Sequence, residues 1–405
     1  MMDLKIFTDN IDKKSLKQIN TLLKQNVFKD CKVRIMPDVH AGVGCVIGFT
    51  GNMKDKIIPN LVGVDIGCGM LCAYLGKKDI DLKKIDNIIK DNIPSGFNVH
   101  EQNSCDYINP SILYDLKCFN ELKNISRLSK SCGTLGGGNH FIEIDKDNEN
   151  NKYLIIHTGS RNLGKQVADI YQKKAIKYCS YKDKMNKEIE DSIKFHKENN
   201  LNNKISNSIN EIKSHYKIDA KLPESLCYLD GRLKYDYLHD MKICQSFAYK
   251  NRETILKLIL TNYYEDKHIK TDSIEQFQTI HNYIDFNDNI LRKGAISAHK
   301  DELLLIPMNM RDGCILGKGK GNKDWNYSAP HGAGRIMSRT EAKNTFKLDD
   351  FKKTMKDVYT TSICNETLDE SPFAYKDSKE IIKNIDDTVD ILKIIKPIYN
   401  FKATN

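Results

Sequence analysis

Five side chains of metal-binding type lie beside glycine-rich segments. Asp65 and Cys68 stand three residues apart in "NLVGVDIGCGM", His140 follows three glycines in "GTLGGGNHFIEI", His157 ends the apolar run "YLIIH", and His281 lies in "TIHNYIDF". Taken alone, Asp65 is most simply a turn cap and Cys68 a buried thiol. The three histidines favour a metal site instead, because neutral imidazole is the commonest transition-metal ligand.

These five donors exceed what one tetrahedral zinc ion needs. A shared thiolate at Cys68 would allow two adjacent ions, as in two-metal phosphoryl-transfer sites. Thiolate favours zinc, whereas carboxylate and imidazole also accept manganese. The residue types therefore predict a metal centre and leave the identity of the metal open.

Two further segments have the character of anion-binding sites. "HTGSRNLG" contains Arg161, and "SAPHGAGRIMSR" contains His331 and Arg335, and we predict that helices start in the first segment and at Gly332 in the second. Free backbone N–H groups at a helix start attract phosphate, and the planar guanidinium of Arg suits it. Arg292, beside a glycine in "RKGAISA", is a third phosphate or RNA candidate.

His331 has two interpretations. It fills a turn before Gly-Ala-Gly, or its neutral imidazole attacks phosphorus and splits a difficult transfer into two easier steps. Asp38 and His40, in "MPDVHAGVGCVIG", are of a type useful near such a site, but a structural role for them is at least as consistent with the sequence.

The composition indicates an intracellular chain with an anionic partner. Lys and Arg number 63 against 54 Asp and Glu, a net charge of +9, which favours anionic ligands. The twelve cysteines form no Cys-x-x-Cys pair, and the chain shows neither a signal peptide nor an apolar run long enough to cross a membrane. We therefore predict a cytoplasmic protein whose cysteines are mostly reduced and buried.

The distribution of glycine predicts an α+β fold in one domain, residues 1–405, with mixed β-sheets at the core and flanking helices. Strands are predicted at "KVRIMP", "GCVIGFTG", "LVGVDIG", "FIEI", "KYLIIH", "AISAHKDELLLIPM" and "GCILGKG". Residues 165–275 are glycine-poor and predict a mainly helical excursion, interrupted by an exposed connection at "NNLNNKISNSINEIKSHYK". A last helix is predicted at "DDTVDILKIIKPI".

In order along the chain, these segments resemble one family, the RtcB-type RNA ligases, also called tRNA-splicing ligases. The resemblance is carried by "VGVDIGCGM", "GTLGGGNHFIEI", "IHTGSRNLG", "HN", "RKGAISA", "HGAGRIMSR" and "AYK", and it extends from "MPDVHAG" to the C-terminal "KPIYNFKATN". Such long motifs in a fixed order are specific.

The resemblance implies a GTP- and manganese-dependent RNA ligase. It joins an RNA 3′-phosphate or 2′,3′-cyclic phosphate end to a 5′-hydroxyl end through guanylylated His331 and an RNA(3′)pp(5′)G intermediate. Two Mn²⁺ ions would be held by Asp65, Cys68, His140, His157 and His281, with Cys68 shared by both. The implied partners are RNA and an archease-type activating protein, and the chain would be a monomer without membrane contact.

The resemblance also implies a nucleotide site. Its contacts fall on Asn139, His140, Phe141, Glu143, His281, Asn282, Pro307, Asn309, Met310, Cys314, His331, Gly332, Ala333, Gly334, Tyr375 and Lys402. The chain departs from the family where Met308 and Asn309 replace Gly-Ser and where Ala403 follows Lys402. tRNA splicing and RNA repair both remain open as its role.

Two other functions fit the same residues. One is a metal-dependent phosphoesterase that acts on RNA ends without a nucleotide. The other is an RNA-binding module that has lost catalysis.

Overall fold

The computed structural model describes residues 3–102, 111–180, 182–219 and 222–403, and its fold is α+β as predicted. Its strands are β1 (Asp3–Ile6), β2 (Lys32–His40), β3 (Ile47–Gly51), β4 (Gly69–Gly76), β5 (Phe141–Lys146), β6 (Lys152–Thr158), β7 (Gln276–Ile280), β8 (Asn282–Ile284), β9 (Leu291–Lys293), β10 (Ala295–Ser297), β11 (Leu303–Asn309), β12 (Gly313–Gly319), β13 (Ser328–Pro330) and β14 (Val389–Lys402).

Its α-helices are α1 (Lys13–Leu23), α2 (Pro59–Val62), α3 (Leu82–Asn92), α4 (Ser111–Tyr114), α5 (Ile125–Ser129), α6 (Arg161–Cys179), α7 (Lys182–Glu198), α8 (Ile205–Asp219), α9 (Gly231–Tyr264), α10 (Arg339–Thr345), α11 (Leu348–Thr354) and α12 (Ser378–Asn384). Short 3₁₀ segments lie between them, among them Asn365–Glu370 and Pro372–Ala374. Helices α6 to α9 occupy most of residues 165–275, as the low glycine content predicts.

Two large sheets carry the functional residues. The seven-stranded sheet has the order β11-β12-β14-β5-β6-β4-β7 and is antiparallel throughout, and the five-stranded sheet has the order β1-β2-β3-β9-β8. Strands β10 and β13 form a separate antiparallel pair. Helix α9 covers one face of the larger sheet, where Ile255 and Ile259 share a fully buried cluster with Leu71, Ile142 and Ile156.

The antiparallel order brings four strand ends to one edge of the larger sheet. The first residue of β4, Gly69, pairs with the last residues of β6 and β7, and Phe141 at the start of β5 pairs with His157. The donor residues flank these four ends, so sheet register alone places them together although they span residues 65 to 281.

The predicted helix start at Gly332 is wrong. Helix α10 begins at Arg339, and its N-cap is Ser338, whose side chain accepts from the N–H of Glu341. Residues 331–337 are bends and irregular backbone with one β-bridge, between Arg335 and Tyr375, and Gly334 has φ +76°. The Ser-x-x-Glu capping signal lies further along the chain, and glycines disfavour helix before it.

The predicted strand "LVGVDIG" is also wrong. Pro59 begins the single-turn helix α2, Gly63 ends it with φ +102°, and the strand starts only at Gly69. Proline is favoured at the first helical position, and the positive φ at glycine stops further helix.

The predicted exposed connection in the middle of the chain is helix α8, which packs against α7. Its half-buried Ile205, Ile209 and Ile212 have helical spacing, a narrow stripe within a polar sequence.

The predicted last helix is the long strand β14. It pairs with β12 on one side and β5 on the other, so its β-branched residues fill an interior position in the sheet.

Candidate functional site

All five predicted metal donors converge at the strand ends. Their donor atoms form two groups, each within 4.8 Å: Cys68, His157 and His281 in one, and Asp65, Cys68 and His140 in the other. Cys68 belongs to both groups. This is the arrangement expected of a thiolate shared by two cations.

The hydrogen bonds of two histidines direct their lone pairs toward Cys68. His140 Nδ1 lies 2.9 Å from the carbonyl of Leu135, and His157 Nδ1 lies 3.1 Å from the carbonyl of Asn139. A carbonyl only accepts, so each Nδ1 is the protonated nitrogen. The Nε2 atoms then lie 3.5 and 3.4 Å from Cys68 Sγ, and His140 Nε2 is also 3.0 Å from Asp65 Oδ2.

Burial keeps Cys68, His157 and His281 in their uncharged forms. Nδ1 of His281 is buried without a hydrogen-bond partner among the described residues. Burial, reinforced by Asp65, raises the pKa of the Cys68 thiol well above its usual value, and burial lowers the pKa of His157 and His281. A bound cation would deprotonate the thiol and employ the neutral imidazoles, so the residues fit a metal.

Glycine allows Asp65 to reach this position. A Cβ at Gly159 would lie 2.2 Å from Asp65 Oδ1, and the N–H of Ser160 donates to the same oxygen at 3.2 Å. Asp65 is therefore held against the turn that follows β6. This contact links the carboxylate before β4 to the turn that follows His157.

His331 follows β13 and is held by Asp38 of β2. Its Nδ1 lies 2.6 Å from Asp38 Oδ2, and its backbone N–H donates to that oxygen at 3.1 Å. Asp38 is fully buried. Because the carboxylate accepts from Nδ1–H, the lone pair of His331 is at Nε2. The ring centre of His331 lies 4.8 Å from that of His281, which places it beside the donor set.

The glycines after His331 permit this approach. A Cβ at Gly334 would lie 2.2 Å from the carbonyl oxygen of Asp38. Any larger residue would push the His331 turn away from β2, so this glycine is required by close packing and by its positive φ.

A cavity of about 750 Å³ opens beside His331. This volume is typical of small-molecule sites. The predicted nucleotide residues that line it are Asn139, Phe141, Glu143, Pro307, Asn309, Met310, His331, Gly332, Ala333, Gly334, Tyr375 and Lys402. The other four predicted residues do not line the cavity. His140 and His281 are among the metal donors, the Asn282 amide donates to the Asp65 carbonyl, and the Cys314 thiol lies 3.9 Å from Glu143.

The three arginine candidates occupy different places. Arg161 begins α6 and donates to Thr134 Oγ1 at 2.9 Å, and Arg335 lines the cavity with its guanidinium over the Tyr375 ring. Arg292 is fully buried and pairs with Asp288 at 2.7 Å. The structure does not bring Arg292 to the cavity.

Several residues at the site are additional to the predicted site residues. Asp38 binds His331 and His40 lines the cavity, whereas the sequence is at least as consistent with a structural role for both. Glu370, Arg339 and Lys14 also line the cavity and have no assignment from the sequence. The "MPDVHAG" segment carried a signal for the first two. No local pattern marks Glu370, which reaches the cavity only through the folding of the C-terminal region.

No helix in the described parts of the chain combines the length and the apolar character needed to span a membrane.

Known proteins are similar to this sequence over most of its length. The sequence model of the tRNA-splicing ligase RtcB family matches residues 18–118 and 114–403. RNA-splicing ligase RtcB of Escherichia coli (strain K12) is 29% identical over 417 residues, which cover 95% of this chain and 93% of that relative. tRNA-splicing ligase RtcB of Aeropyrum pernix is 26% identical, and the alignment covers 90% of this chain and 86% of that relative. tRNA-splicing ligase RtcB of Nanoarchaeum equitans is 25% identical, and the alignment covers 86% of this chain and 83% of that relative.

The family match includes the segments that carry the five donors, Asp38 and His331. Because it extends over far more than half of the chain, the protein belongs to the tRNA-splicing ligase RtcB family and is an RNA ligase.

Proposed function

We propose that this ligase joins RNA 3′-phosphate or 2′,3′-cyclic phosphate ends to 5′-hydroxyl ends, using GTP, two Mn²⁺ ions and His331 as the carrier of GMP. The observation that carries the proposal is the setting of His331. Its Nδ1 is bound to buried Asp38, its ring lies beside the donor set, and it lines a cavity of nucleotide size.

The first step would take place at Nε2 of His331. This nitrogen attacks the α-phosphorus of GTP, an N–P bond forms, and the P–O bond to pyrophosphate breaks. The imidazole gains positive charge as it reacts. The Asp38 carboxylate at Nδ1 stabilises that charge and keeps the ring in the reactive orientation.

The next two steps would transfer GMP to RNA and seal the strand. An oxygen of the RNA 3′-phosphate attacks the phosphorus on His331, which releases the histidine and gives RNA(3′)pp(5′)G. The 5′-hydroxyl then attacks the RNA 3′-phosphorus, and GMP leaves. A cyclic phosphate would first be opened by water to a 3′-phosphate. Arg161 and Arg335 are proposed to contact RNA phosphate.

Asp65, Cys68, His140, His157 and His281 would hold the two metal ions, with Cys68 shared. Bound there, the ions would neutralise phosphate charge and polarise the reacting P–O bonds. Thiolate alone favours zinc, so manganese is the part of this proposal that rests on the family resemblance. An archease-type protein would assist activation, and residues 1–405 would act as one monomeric catalytic domain.

The test is transfer of label from α-labelled GTP to the protein in Mn²⁺. We expect one labelled site per chain, located at His331 by mass spectrometry, and no labelling of His331→Ala. His268→Ala, at an exposed histidine outside the cavity, is the matched control and should label normally. Labelling that survives in His331→Ala refutes the nucleophile. Turnover of RNA ends without GTP would favour the phosphoesterase.

A further inference from the structure

Glu370 is a buried carboxylate in the wall of the nucleotide cavity. It is the last residue of the 3₁₀ segment Asn365–Glu370, and only 2% of its surface is exposed. A buried carboxylate is costly unless it is paired and hydrogen-bonded. The residues that pair with Glu370 must therefore offset the cost of its burial.

Both oxygens of Glu370 accept hydrogen bonds from residues that also line the cavity. Oε2 accepts from Tyr375 Oη at 2.7 Å and from Lys402 Nζ at short range, while Oε1 accepts from Arg339 at 2.7 Å and Arg335 at 3.5 Å. Burial alone would raise the pKa of Glu370, but Lys402, Arg339 and Arg335 outweigh it and hold that pKa at about 2.

Lys402 depends on Glu370 more than Arg339 does. The only other hydrogen bond that Lys402 Nζ forms within the described residues is a 3.4 Å contact to the carbonyl of Asn139, and 4% of the lysine side chain is exposed. Arg339 has a second carboxylate partner, Asp369, at 2.6 Å. Losing Glu370 would thus free Lys402 while leaving Arg339 paired.

The same carboxylate sets the position of an aromatic wall. Tyr375 is anchored through its hydroxyl, its ring carries the Arg335 guanidinium 5.1 Å from its centre, and Lys402 Nζ lies 5.4 Å from the centre of the Phe141 ring. A nucleobase needs flat apolar surfaces and a few fixed donors. Glu370 contacts one flat surface, the Tyr375 side chain, and one donor, Lys402.

We propose that Glu370 is a positioning residue for nucleotide recognition, which acts by holding Lys402 Nζ and Tyr375 Oη in place for the nucleobase. The inference rests on the proposed nucleotide site. It goes beyond that proposal because it names the residue that keeps Lys402 and Tyr375 in fixed positions in the cavity wall. A preorganised donor lowers the entropy that binding must overcome.

The main test is the equilibrium affinity for GMP in the presence of Mn²⁺, which requires no covalent chemistry. In Glu370→Gln we expect the dissociation constant to rise about tenfold or more, the scale of a hydrogen bond to a charged group. The labelling rate at saturating GTP should change little, so the loss appears in KM. Asp369→Asn is the matched control, a neighbouring buried carboxylate that contacts Arg339 and Lys343, and its affinity should stay within about twofold.

A double variant tests action through Lys402. If Glu370 works by placing this lysine, adding Glu370→Gln to Lys402→Met should cost far less than Glu370→Gln alone, about threefold or less. Full additivity of the two effects would overturn the inference, as would an unchanged affinity in Glu370→Gln. A wild-type chain that binds no GMP would overturn it as well.

Tyr375→Phe covers the case in which Glu370→Gln does not fold. It removes the hydroxyl that donates to Glu370 at 2.7 Å and accepts from Arg335 at 3.3 Å, and it leaves every charge in place. We expect a loss of affinity of about three- to tenfold. An unchanged value would refute the anchoring of Tyr375. Because GMP binding is separate from labelling, an unlabelled wild-type chain that binds GMP through Glu370 would refute the proposed function alone.

Discussion

At the scale of single residues, two side chains divide the proposed chemistry. Cys68 is the only donor common to both candidate metal groups among the described residues, and His331 is the proposed nitrogen nucleophile beside them. Each is held by a neighbour that constrains its protonation. Cys68 is surrounded by two imidazole Nε2 atoms, and His331 is bound to Asp38. Both assignments lead to experiments in which the two roles are separable.

Cys68→Ala should lose metal from both groups at once. The shared thiol is the one donor whose removal leaves two incomplete sets of ligands. Elemental analysis after dialysis should show about two Mn²⁺ per chain in the wild type and less than one in the variant. Cys72→Ala removes a similarly buried thiol on β4 outside the two groups and should keep both ions. Two ions retained by Cys68→Ala would contradict sharing.

Asp38→Asn should slow the labelling of His331 without weakening nucleotide binding. An asparagine can donate to Nδ1, which favours the tautomer protonated at Nε2, and it cannot stabilise the charged ring. By analogy with carboxylate–histidine pairs in other enzymes, the rate should fall about 100-fold or more. Single-turnover labelling with saturating GTP measures this rate. A wild-type rate, or a loss confined to GMP affinity, would show that Asp38 has another role.

At the scale of elements, β5 connects the donor set to the cavity. His140 precedes it, and Glu143 and Asp145 project from its same face, since side chains two apart in a strand share a face. Strands β12 and β14 then bring Cys314 and Asn400 to Glu143, at 3.9 and 2.5 Å. Both oxygens of Asp145 lack a hydrogen-bond donor among the described residues, so of the two buried carboxyl groups on this strand Asp145 has the less compensation.

The carboxyl pair predicts a loss of stability on raising the pH. Burial, and then Glu143, raises the pKa of Asp145 well above its usual value, and burial raises that of Glu143 to about 7. A carboxyl group whose pKa is higher in the folded than in the unfolded protein contributes fully to the stability of the fold at pH values below its unfolded pKa, near 4. That contribution is lost as the pH rises through the folded pKa. Asp145→Asn should therefore become more stable than the wild type at pH 8, by about 1 to 3 kcal/mol, and gain less at pH 5.

Urea unfolding of both proteins at the two pH values measures this difference. Asp350→Asn, at a more exposed carboxylate on α11, is the control and should show little dependence on pH. An advantage of Asp145→Asn that is equal at pH 5 and pH 8 would mean that the pair does not titrate in this range.

Much of the element pattern was predictable from the sequence, and the reasons for the failures are physical. The apolar runs before His157 and after His140 predicted β6 and β5, and the five donors flanked strand ends as their glycines indicated. The C-terminal run predicts a helix because register shifts in β14, at Leu392 against β12 and at Ile398 against β5, break the alternation of period two that marks a strand. The pairing of Asp38 with His331 and that of Glu370 with Lys402 could not be predicted locally, since the partners lie 293 and 32 residues apart in the chain.

At the scale of the whole molecule, the candidate metal centre joins distant parts of the chain. Its donors lie before β4, before β5, at the end of β6 and after β7. Metal binding therefore requires these strands to be paired, and with them the folding of α6 to α9, which connect β6 to β7. A ligand that binds only the folded state stabilises it in proportion to the logarithm of its concentration over its dissociation constant. Metal should therefore act on the stability of the fold as well as on catalysis.

Mn²⁺ should raise the melting temperature of the metal-free chain, because the unfolded chain cannot assemble this donor set. At a free concentration 100 times the dissociation constant, one site contributes about 2.7 kcal/mol. Thermal unfolding followed by circular dichroism, with and without Mn²⁺, measures the shift. His331→Ala should show the full shift because it keeps all five donors, whereas Cys68→Ala should show little. Equal shifts in these two variants would place the stabilising metal elsewhere, and a shift absent from the wild type would contradict binding of Mn²⁺ by the five donors.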